Sequence, residues 1–283
     1  MTNYTGTATS RIDGRDKVTG AARYAAEFGA PDLAHGSVVT SPIAKGRIKQ
    51  IDTARAMKVK GVIAILTHQN RPAMADSDKA YKDEVAPEKG SPYRPLYDDR
   101  ILFSGQPVAL VVAEDFETAT YAASLVDTTY DEESHVTDFA QARDEAVTLE
   151  APAKPRGDAA SAFAASDMRH RADYVVPIEH HNPMELFGST AIWNDGKLTV
   201  YDKTQGVQNV HGYLCRVFEC DSDDIRVVSP YVGGAFGSAL RPAYQTVLAV
   251  LAARAVRRSV RLVLTRQQTY AVGYRPAMIQ RIR

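Results

Sequence analysis

The pattern of apolar and polar positions divides the first half of the chain into short strand-like runs and one helical segment. Three runs rich in β-branched residues predict strands, and these are Ser37–Thr40, Val62–Leu66 and Val108–Ala113. The segment that begins at Asp115 has a helix N-cap residue followed by apolar side chains at helical spacing. The residues that this spacing places on one face are Phe116, Ala119, Ala123 and Val126. Strands and helices therefore mix through residue 132, which predicts an α+β fold.

The second half of the chain contains further strand-like runs and one long apolar segment. The runs are Met168–Val176, Ser189–Trp193, Lys197–Asp202 and Ile225–Ser229. The sequence Asn194-Asp195-Gly196 predicts a hairpin turn between the second and the third of them. The apolar segment Tyr244–Arg254 has the composition of a helix, and the alternation at residues 278–282 predicts a final strand.

Two polar segments interrupt these elements. Residues 73–97 are rich in lysine, aspartate and glutamate and contain three prolines, which predicts an exposed loop. Residues 133–160 are dominated by Ala, Asp, Glu and Pro, and Ala151–Pro155 stiffens their path, as is typical of a linker. We therefore predict a lead-in at residues 1–17, a first domain at 18–132, a linker at 133–160 and a second domain at 161–283.

Charge and composition exclude several classes of protein. The chain has 283 residues, and its 34 lysines and arginines balance 34 aspartates and glutamates. A neutral chain has no bulk field that favours nucleic acid or an anionic membrane. Its longest apolar stretches are far shorter than the roughly 20 residues that a membrane helix needs, and residues 1–10 lack the features of a secretory signal. We predict a globular protein with no nucleic-acid partner and no membrane span.

Cysteine and histidine give no metal-site pattern. Cys215 and Cys220 are the only cysteines, and their spacing has no second pair that would complete a zinc or iron–sulfur site. We interpret them as buried thiols. His180 and His181 are adjacent, so they point in different directions on a strand and do not form a metal site by themselves. We interpret both as structural or surface residues.

A glycine-rich turn at residues 230–242 is the most informative segment of the chain. Gly233, Gly234 and Gly237 lie between a predicted strand and a predicted helix. Glycines allow positive φ angles and a close approach of the backbone to a ligand, so amide groups can converge on an anion or an oxo group. The spacing matches neither a P-loop nor a dinucleotide fingerprint. The pattern alone leaves two interpretations open, a cofactor cradle and a tight structural turn.

Five segments, in order along the chain, resemble the molybdenum-binding large subunit of the xanthine dehydrogenase and aldehyde oxidase family. Val232–Gly237 resembles its Gly-Gly-Gly-Phe-Gly-Gly molybdopterin motif, and Tyr201–Asn209 is similar to its Thr-Gln segment. His181–Glu185 resembles its Met-Glu-Pro segment. Arg11–Tyr24 and Gly105–Ala113 look like the start and the late portion of its hammerhead domain.

The resemblance implies an α+β fold with a hammerhead domain at 18–132 and an incomplete molybdopterin-binding domain at 161–283. It implies molybdopterin cytosine dinucleotide with molybdenum as the cofactor. The family's large subunit continues beyond this length and pairs with subunits that carry FAD and [2Fe-2S] clusters. Its catalytic glutamate would lie beyond residue 283, so we expect the isolated chain to be inactive. The implied compartment is the cytoplasm, or the periplasm after export with a signal-bearing partner.

The resemblance also assigns roles to residues. Gln205 matches the glutamine that donates a hydrogen bond to the molybdenum oxo group. Residue type alone favours a turn-capping side chain, and the matching motif reverses that preference. The cofactor-binding turn comprises Gly233, Gly234, Ala235, Phe236 and Gly237. Ala235 and Ser238 replace glycines of the commoner motif. Glu185 matches no acid–base position of the family, and we assign it no such role.

The expected substrate follows from one further position. Leu240 lies where purine-oxidising relatives carry a substrate-orienting glutamate, and with Phe236 it would line the substrate pocket. An apolar side chain cannot pair with purine nitrogens, so aldehydes or less polar heterocycles are favoured. The expected function is therefore hydroxylation of aldehydes or N-heterocycles with water-derived oxygen, as part of a molybdenum-binding subunit. The alternative is a non-catalytic fragment or a protein-interaction module of the same fold.

Overall fold

A seven-stranded mixed sheet organises the chain in the computed structural model, which describes residues 5–84, 90–147, 156–194 and 196–283. The strands of the described residues are β1 (Ala34–Thr40), β2 (Gly46–Asp52), β3 (Val62–Thr67), β4 (Arg100–Ile101), β5 (Pro107–Ala113), β6 (Asp127–Glu132), β7 (Ala172–Val176), β8 (Glu179–His180), β9 (Gly188–Asn194), β10 (Lys197–Asp202), β11 (Ile225–Val228), β12 (Val260–Val263), β13 (Tyr274–Arg275) and β14 (Met278–Ile282).

Eight α-helices accompany these strands in the described ranges. They are α1 (Gly14–Thr19), α2 (Ala54–Met57), α3 (Phe116–Ala123), α4 (Phe139–Ala142), α5 (Ala159–Ala165), α6 (Val207–Phe218), α7 (Tyr244–Val256) and α8 (Arg266–Val272). Short 3-10 helices occur at Ala25–Glu27, Asp78–Tyr81, Arg143–Glu145 and Ser222–Asp224. Among the described residues, none of the helices combines the length and the apolar character that crossing a membrane requires.

Strands from both halves of the sequence share the large sheet. Its order is β11-β10-β9-β12-β1-β5-β3, and the halves meet where β1 pairs in parallel with β12, with Ala34 opposite Val260. Smaller sheets have the orders β4-β2-β6, β13-β8 and β14-β7. Parallel and antiparallel pairs therefore mix in one sheet, together with helices and smaller antiparallel sheets, in agreement with the predicted α+β fold class.

The core lies where α6 and α7 cover the large sheet. All residues of α7 from Tyr244 to Ala253 are buried, as expected for a helix that is apolar on every side. In α6 only one face is buried, and Val210, Leu214 and Val217 lie on it at the spacing of successive turns. The predicted helix after the glycine-rich turn is thereby confirmed, and its N-terminus directly follows that turn.

Two expectations about local packing were wrong, the first of them only in part. Asp115 does cap α3, since its carboxylate accepts a hydrogen bond from the Thr118 N–H at 2.7 Å. The buried face, however, consists of Ala119 and Ala122, whereas Phe116 is 49% exposed. Of the other residues expected on this face, Ala123 and Val126 pack partly buried against the cluster that contains Ala122.

The second wrong expectation concerns the polar segment 73–97. Among its described residues, Met74, Ala75, Tyr81 and Leu96 are buried in the main core. The Ala75 N–H donates to the Val217 carbonyl at 2.9 Å. Arg94 pairs with Asp78 and lies over the Tyr97 ring at 4.2 Å. Arg94 and Asp78 thus pair within the segment, while its apolar side chains pack inward.

Some predicted features lie outside the described residues. These are Ala151–Pro155 in the predicted linker and the central Asp195 of the predicted hairpin. The strands flanking Asp195 do pair as a hairpin, with Lys197 opposite Asn194. The division into domains at 133–160 stays a prediction, and α4 lies within that range.

Candidate cofactor site

Two adjacent parallel strands bring Gln205 and the glycine-rich turn together. β10 and β11 are connected through α6 and pair in parallel, with Tyr201 opposite Val228. Their carboxyl ends therefore open at one edge of the sheet, which is where open sheets commonly bind ligands. Gln205 follows β10, and the turn follows β11.

The turn has a tight internal geometry that requires its glycines. Gly234 and Gly237 have φ angles of +90° and +97°, and Phe236 between them has a φ of +55°. The Ser238 N–H donates to the Ala235 carbonyl at 3.0 Å, and the Leu240 N–H donates to the Gly237 carbonyl at 3.3 Å. A phenylalanine at positive φ is uncommon, and such strain concentrates at functional sites.

Side chains of the turn separate into an inner and an outer set. Ala235 and Ala239 are buried in the main core, at 3% and 1% exposure. Phe236 is 73% exposed and Leu240 is 50% exposed. The inner alanines anchor the turn while Phe236 and Leu240 face outward, so Phe236 is not a core residue.

Backbone donors of the turn are left available. Within the part of the chain that the structure describes, the N–H groups of Gly234, Ala235, Phe236 and Gly237 donate to no protein acceptor. Successive unpaired N–H groups in such a turn form a concave site that suits an anion or an oxo group. Ser238 does not block it, because its hydroxyl donates inward to the Ala235 carbonyl at 2.7 Å.

Gln205 is held beside this turn by its backbone. Its N–H donates to the Ala239 carbonyl at 2.9 Å. Thr204 reinforces the contact, since its hydroxyl donates to the same carbonyl at 3.3 Å and accepts from the Gly206 N–H at 3.0 Å. The exposed Gln205 side-chain amide has no hydrogen-bond partner among the described residues. It is therefore available as a neutral donor next to the turn.

Two buried ionisable groups, Asp202 and Lys203, lie in the chain just before Gln205. Burial raises the pKa of the Asp202 carboxyl to about 6, although the Ser189 and Thr246 hydroxyls donate to it. Burial lowers the pKa of the Lys203 ammonium to about 8. Lys203 Nζ lies 4.2 Å from the centre of the Phe187 ring. Both groups are buried at the end of β10.

His181 is a site residue that sequence analysis missed. It borders a cavity of about 270 Å³ next to Gly237, and its Nδ1 is buried without a hydrogen-bond partner in the described part of the protein. Two adjacent histidines carry no motif, so the sequence favours a structural or surface role for it. Its position as the first residue of His181–Glu185, the segment that resembles Met-Glu-Pro, is the one signal in the sequence that points to the site.

A larger groove adjoins this cavity. Its volume is about 870 Å³, and both share Arg241, Pro242 and Tyr274 in their linings. Aromatic side chains dominate its wall, among them Tyr93 and Tyr244, whose buried hydroxyls have no partner within the described ranges. Burial raises the pKa of both phenols. Arg241 pairs with Asp83 at 3.5 Å at the groove.

The side chains that the structure describes offer no metal-ligand cluster. Among the described residues, no three histidine, cysteine, aspartate or glutamate side chains lie together so that they could hold an ion. Cys215 and Cys220 are partly buried, and burial raises the pKa of both thiols. The ligands of a metal bound at the turn would therefore have to come from a cofactor and not from the described side chains.

Two protein-family models match the chain. Residues 140–283 match the molybdopterin cofactor-binding domain, and residues 19–134 match the a/b hammerhead domain of aldehyde oxidase and xanthine dehydrogenase.

Individual relatives agree with these matches. The aldehyde oxidoreductase molybdenum-binding subunit PaoC of Escherichia coli (strain K12) is 37% identical over 96% of this chain and 36% of its own length. The xanthine dehydrogenase molybdenum-binding subunit of Escherichia coli O157:H7 is 27% identical over 92% of this chain and 36% of its own length. Quinoline 2-oxidoreductase from Pseudomonas putida 86 superimposes with a TM-score of 0.78 at 26% identity, over 93% of this chain and 35% of that one.

The chain thus spans about a third of the length of the curated relatives that it matches. Its fold, its glycine-rich turn and both domain matches agree with one another. The chain belongs to the aldehyde oxidase and xanthine dehydrogenase family and contains the family's molybdopterin cofactor-binding domain.

Proposed function

We propose that the exposed face of Gln205 and the turn at residues 233–240 holds a molybdenum cofactor in an oxidoreductase that hydroxylates aldehydes or N-heterocycles with water-derived oxygen. The observation that carries the proposal is the row of unpaired N–H groups from Gly234 to Gly237 beside the unpaired Gln205 amide. Among the described residues, these donors lie at one sheet edge and have no protein acceptor to satisfy them.

The residues at this edge fit such a cofactor. The cofactor brings its own sulfur ligands to the metal, which agrees with the lack of a protein ligand cluster among the described residues. When bound, it supplies a metal that accepts two electrons from the substrate. Gln205 would donate to an oxygen ligand of the metal without adding charge, and the N–H groups of Phe236 and Gly237 would face the same centre.

The chain's own side chains favour an apolar, aromatic substrate. Leu240 and Phe236 present apolar surface on the outer side of the turn, and the adjoining groove is lined by tyrosines. Leu240 offers no hydrogen bond to a purine ring, so a purine bound there would leave polar atoms unpaired. Phe236 and Leu240 would also exclude water from the substrate's reacting carbon.

The cofactor form and the assembly extend the same proposal. We infer the cytosine dinucleotide form of molybdopterin, FAD and [2Fe-2S] clusters on partner subunits, and a remaining part of the large subunit that completes the site. Support comes from the resemblance and from relatives described as molybdenum-binding subunits. The compartment would be the cytoplasm, or the periplasm after export with a signal-bearing partner.

Elemental analysis and turnover of the intact protein, purified with its subunits, test the proposal together. We expect about one molybdenum per chain and oxidation of benzaldehyde coupled to an artificial electron acceptor. A folded protein that contains no molybdenum and oxidises neither aldehydes nor N-heterocycles would support the alternative, an interaction module of the same fold.

A further inference from the structure

We propose that Glu185 is a positioning residue that fixes the inner end of the glycine-rich turn, so that its unpaired N–H groups face outward. The carboxylate Oε2 accepts a hydrogen bond from the Gly233 N–H at 2.7 Å. The Glu185 N–H donates in return to the Gly233 carbonyl at 3.1 Å. Both backbone groups of Gly233 are therefore held by one residue. The part of this inference that concerns the cofactor rests on the proposed function.

The contact explains why residue 233 is a glycine. A Cβ atom at this position would lie 2.8 Å from the Glu185 Cβ, closer than such atoms approach in proteins. Gly233 is not among the glycines with positive φ. Its requirement is therefore space for Glu185, whereas Gly234 and Gly237 are required by the backbone path.

The segment that carries Glu185 is itself braced by two cations. Arg266 donates to the Asn182 side-chain oxygen at 2.9 Å, to the Pro183 carbonyl and to the Met184 carbonyl at 2.8 Å. The ammonium of Lys203, which is only 1% exposed, donates to the Glu185 carbonyl at 2.8 Å. A carboxylate on so well-fixed a segment can define the position of the backbone that it binds.

The pairing also selects which donors remain available. The Gly233 N–H is used by Glu185, and the unpaired donors of the described turn begin at the next residue, Gly234. Without the carboxylate, the Gly233 N–H would become a further free donor. The backbone at the start of the turn would also no longer be held in position by Glu185. Burial raises the pKa of Glu185, and the hydrogen bond from the Gly233 N–H opposes that shift.

Hydrogen exchange at the Gly233 N–H tests the inference in the intact protein. Mass spectrometry with electron-transfer fragmentation would resolve this amide in wild type, Glu185→Ala and Glu185→Gln. Loss of a hydrogen bond to a charged acceptor should speed exchange about tenfold or more in Glu185→Ala. Glu185→Gln keeps an acceptor oxygen and should restore most of the protection.

Asp115→Ala is the matched control. It removes a carboxylate-to-amide hydrogen bond of the same 2.7 Å length, at the N-terminus of α3. It should leave exchange at Gly233 unchanged. Equal exchange in Glu185→Ala and wild type, or equal acceleration in Asp115→Ala, would overturn the inference. If Glu185→Ala does not accumulate, Gly233→Ala tests the same pair from the other side and should also speed exchange in this turn.

Molybdenum content separates this inference from the proposed function. Glu185→Ala should lower the metal-to-protein ratio at least about threefold, with recovery in Glu185→Gln and no loss in Asp115→Ala. Normal loading in Glu185→Ala would refute the positioning role even if exchange is faster. A wild-type protein without molybdenum would refute the proposed function instead, and exchange at Gly233 would then decide the role of Glu185 alone.

Discussion

The backbone N–H of Gln205 donates to the Ala239 carbonyl at 2.9 Å, and this contact ties the end of β10 to the turn that follows β11. Because the two strands are parallel neighbours, Gln205 and Ala239, which are 34 positions apart in the sequence, meet at one edge of the sheet. The side chain of Gln205 is left free while its main chain is fixed. A residue held in this way can direct a hydrogen bond with little loss of entropy.

Replacing Gln205 tests its role as a donor. Gln205→Ala in the intact enzyme should lower turnover per bound molybdenum by roughly 100- to 1,000-fold, because a donor to the charge that develops in the transition state is lost. Molybdenum content should remain close to that of wild type. Steady-state kinetics normalised to metal content provides the measurement. The control is Gln208→Ala, an exposed change in the first turn of α6, which should leave turnover and molybdenum content unaltered. Full activity in Gln205→Ala would show that Gln205 does not lie at the metal.

A substitution at Gly237 separates backbone strain from cofactor binding. Gly237→Val places a β-branched residue at a φ of +97° on the exposed face, so we expect molybdenum loading to be abolished. Gly20→Val carries comparable strain at a φ of +75°, where a side chain meets open space. Elemental analysis should find normal molybdenum in the Gly20 variant. Normal loading in both variants would show that the path at residue 237 is dispensable.

Substrate preference tests the outward position of Leu240. The intact enzyme should prefer aromatic aldehydes to hypoxanthine by at least about tenfold in kcat/KM, which corresponds to about 1.4 kcal/mol. Leu240→Glu should lower the ratio of kcat/KM for aromatic aldehydes to that for hypoxanthine, because the added carboxylate can pair with purine nitrogens. Competition between both substrates gives the ratio. A wild-type preference for hypoxanthine would contradict the substrate class and leave the family assignment intact.

Asp202 makes folding stability depend on pH. Burial raises the pKa of its carboxyl from 3.8 to about 6, so the fold favours the protonated form. Its contribution to stability is fully present below about pH 4 and is lost as pH rises through about 6. Asp202→Asn keeps a neutral acceptor for Ser189 and Thr246 and should flatten this dependence, gaining up to about 3 kcal/mol over wild type at pH 8.

Denaturant unfolding between pH 4 and pH 8 provides the measurement for Asp202. The exposed Asp223→Asn is the control and should follow the wild-type curve. A wild-type protein whose stability rises between pH 4 and pH 6, with the same rise in Asp202→Asn, would show that this carboxyl is not protonated on folding.

The sequence predicted the elements that depend on local pattern. The hairpin of β9 and β10, the strand at residues 278–282 and the buried helix after the turn all follow from periodicity and turn residues. It did not predict that β1 pairs with β12, because that contact joins residues far apart in the chain and no local pattern names the partner strand. The burial of Tyr81 and Leu96 was missed for a similar reason. The segment looks exposed because it is rich in charge, and the pairing of Arg94 with Asp78 forms only when the chain folds.

Site residues that belong to a sequence motif were predictable. Site residues whose identity depends on a side chain distant in the sequence were harder to predict. The spacing of the glycine motif identifies Gly237, and its positive φ depends on its own backbone and on no distant residue. The need for glycine at 233 comes from Glu185, 48 residues earlier, and nothing local to either residue signals it. His181 next to Gly237 is a further contact that arises only in the folded chain.

Diffraction at the molybdenum absorption edge from crystals of the intact protein tests the central claim most directly. If the face formed by Gln205 and the turn at residues 233–240 holds the cofactor, one anomalous peak per chain should lie beside the Gln205 side-chain amide and the backbone of Phe236 and Gly237. A molybdenum peak at any other surface of the chain, or protein crystals with no anomalous peak, would contradict the account.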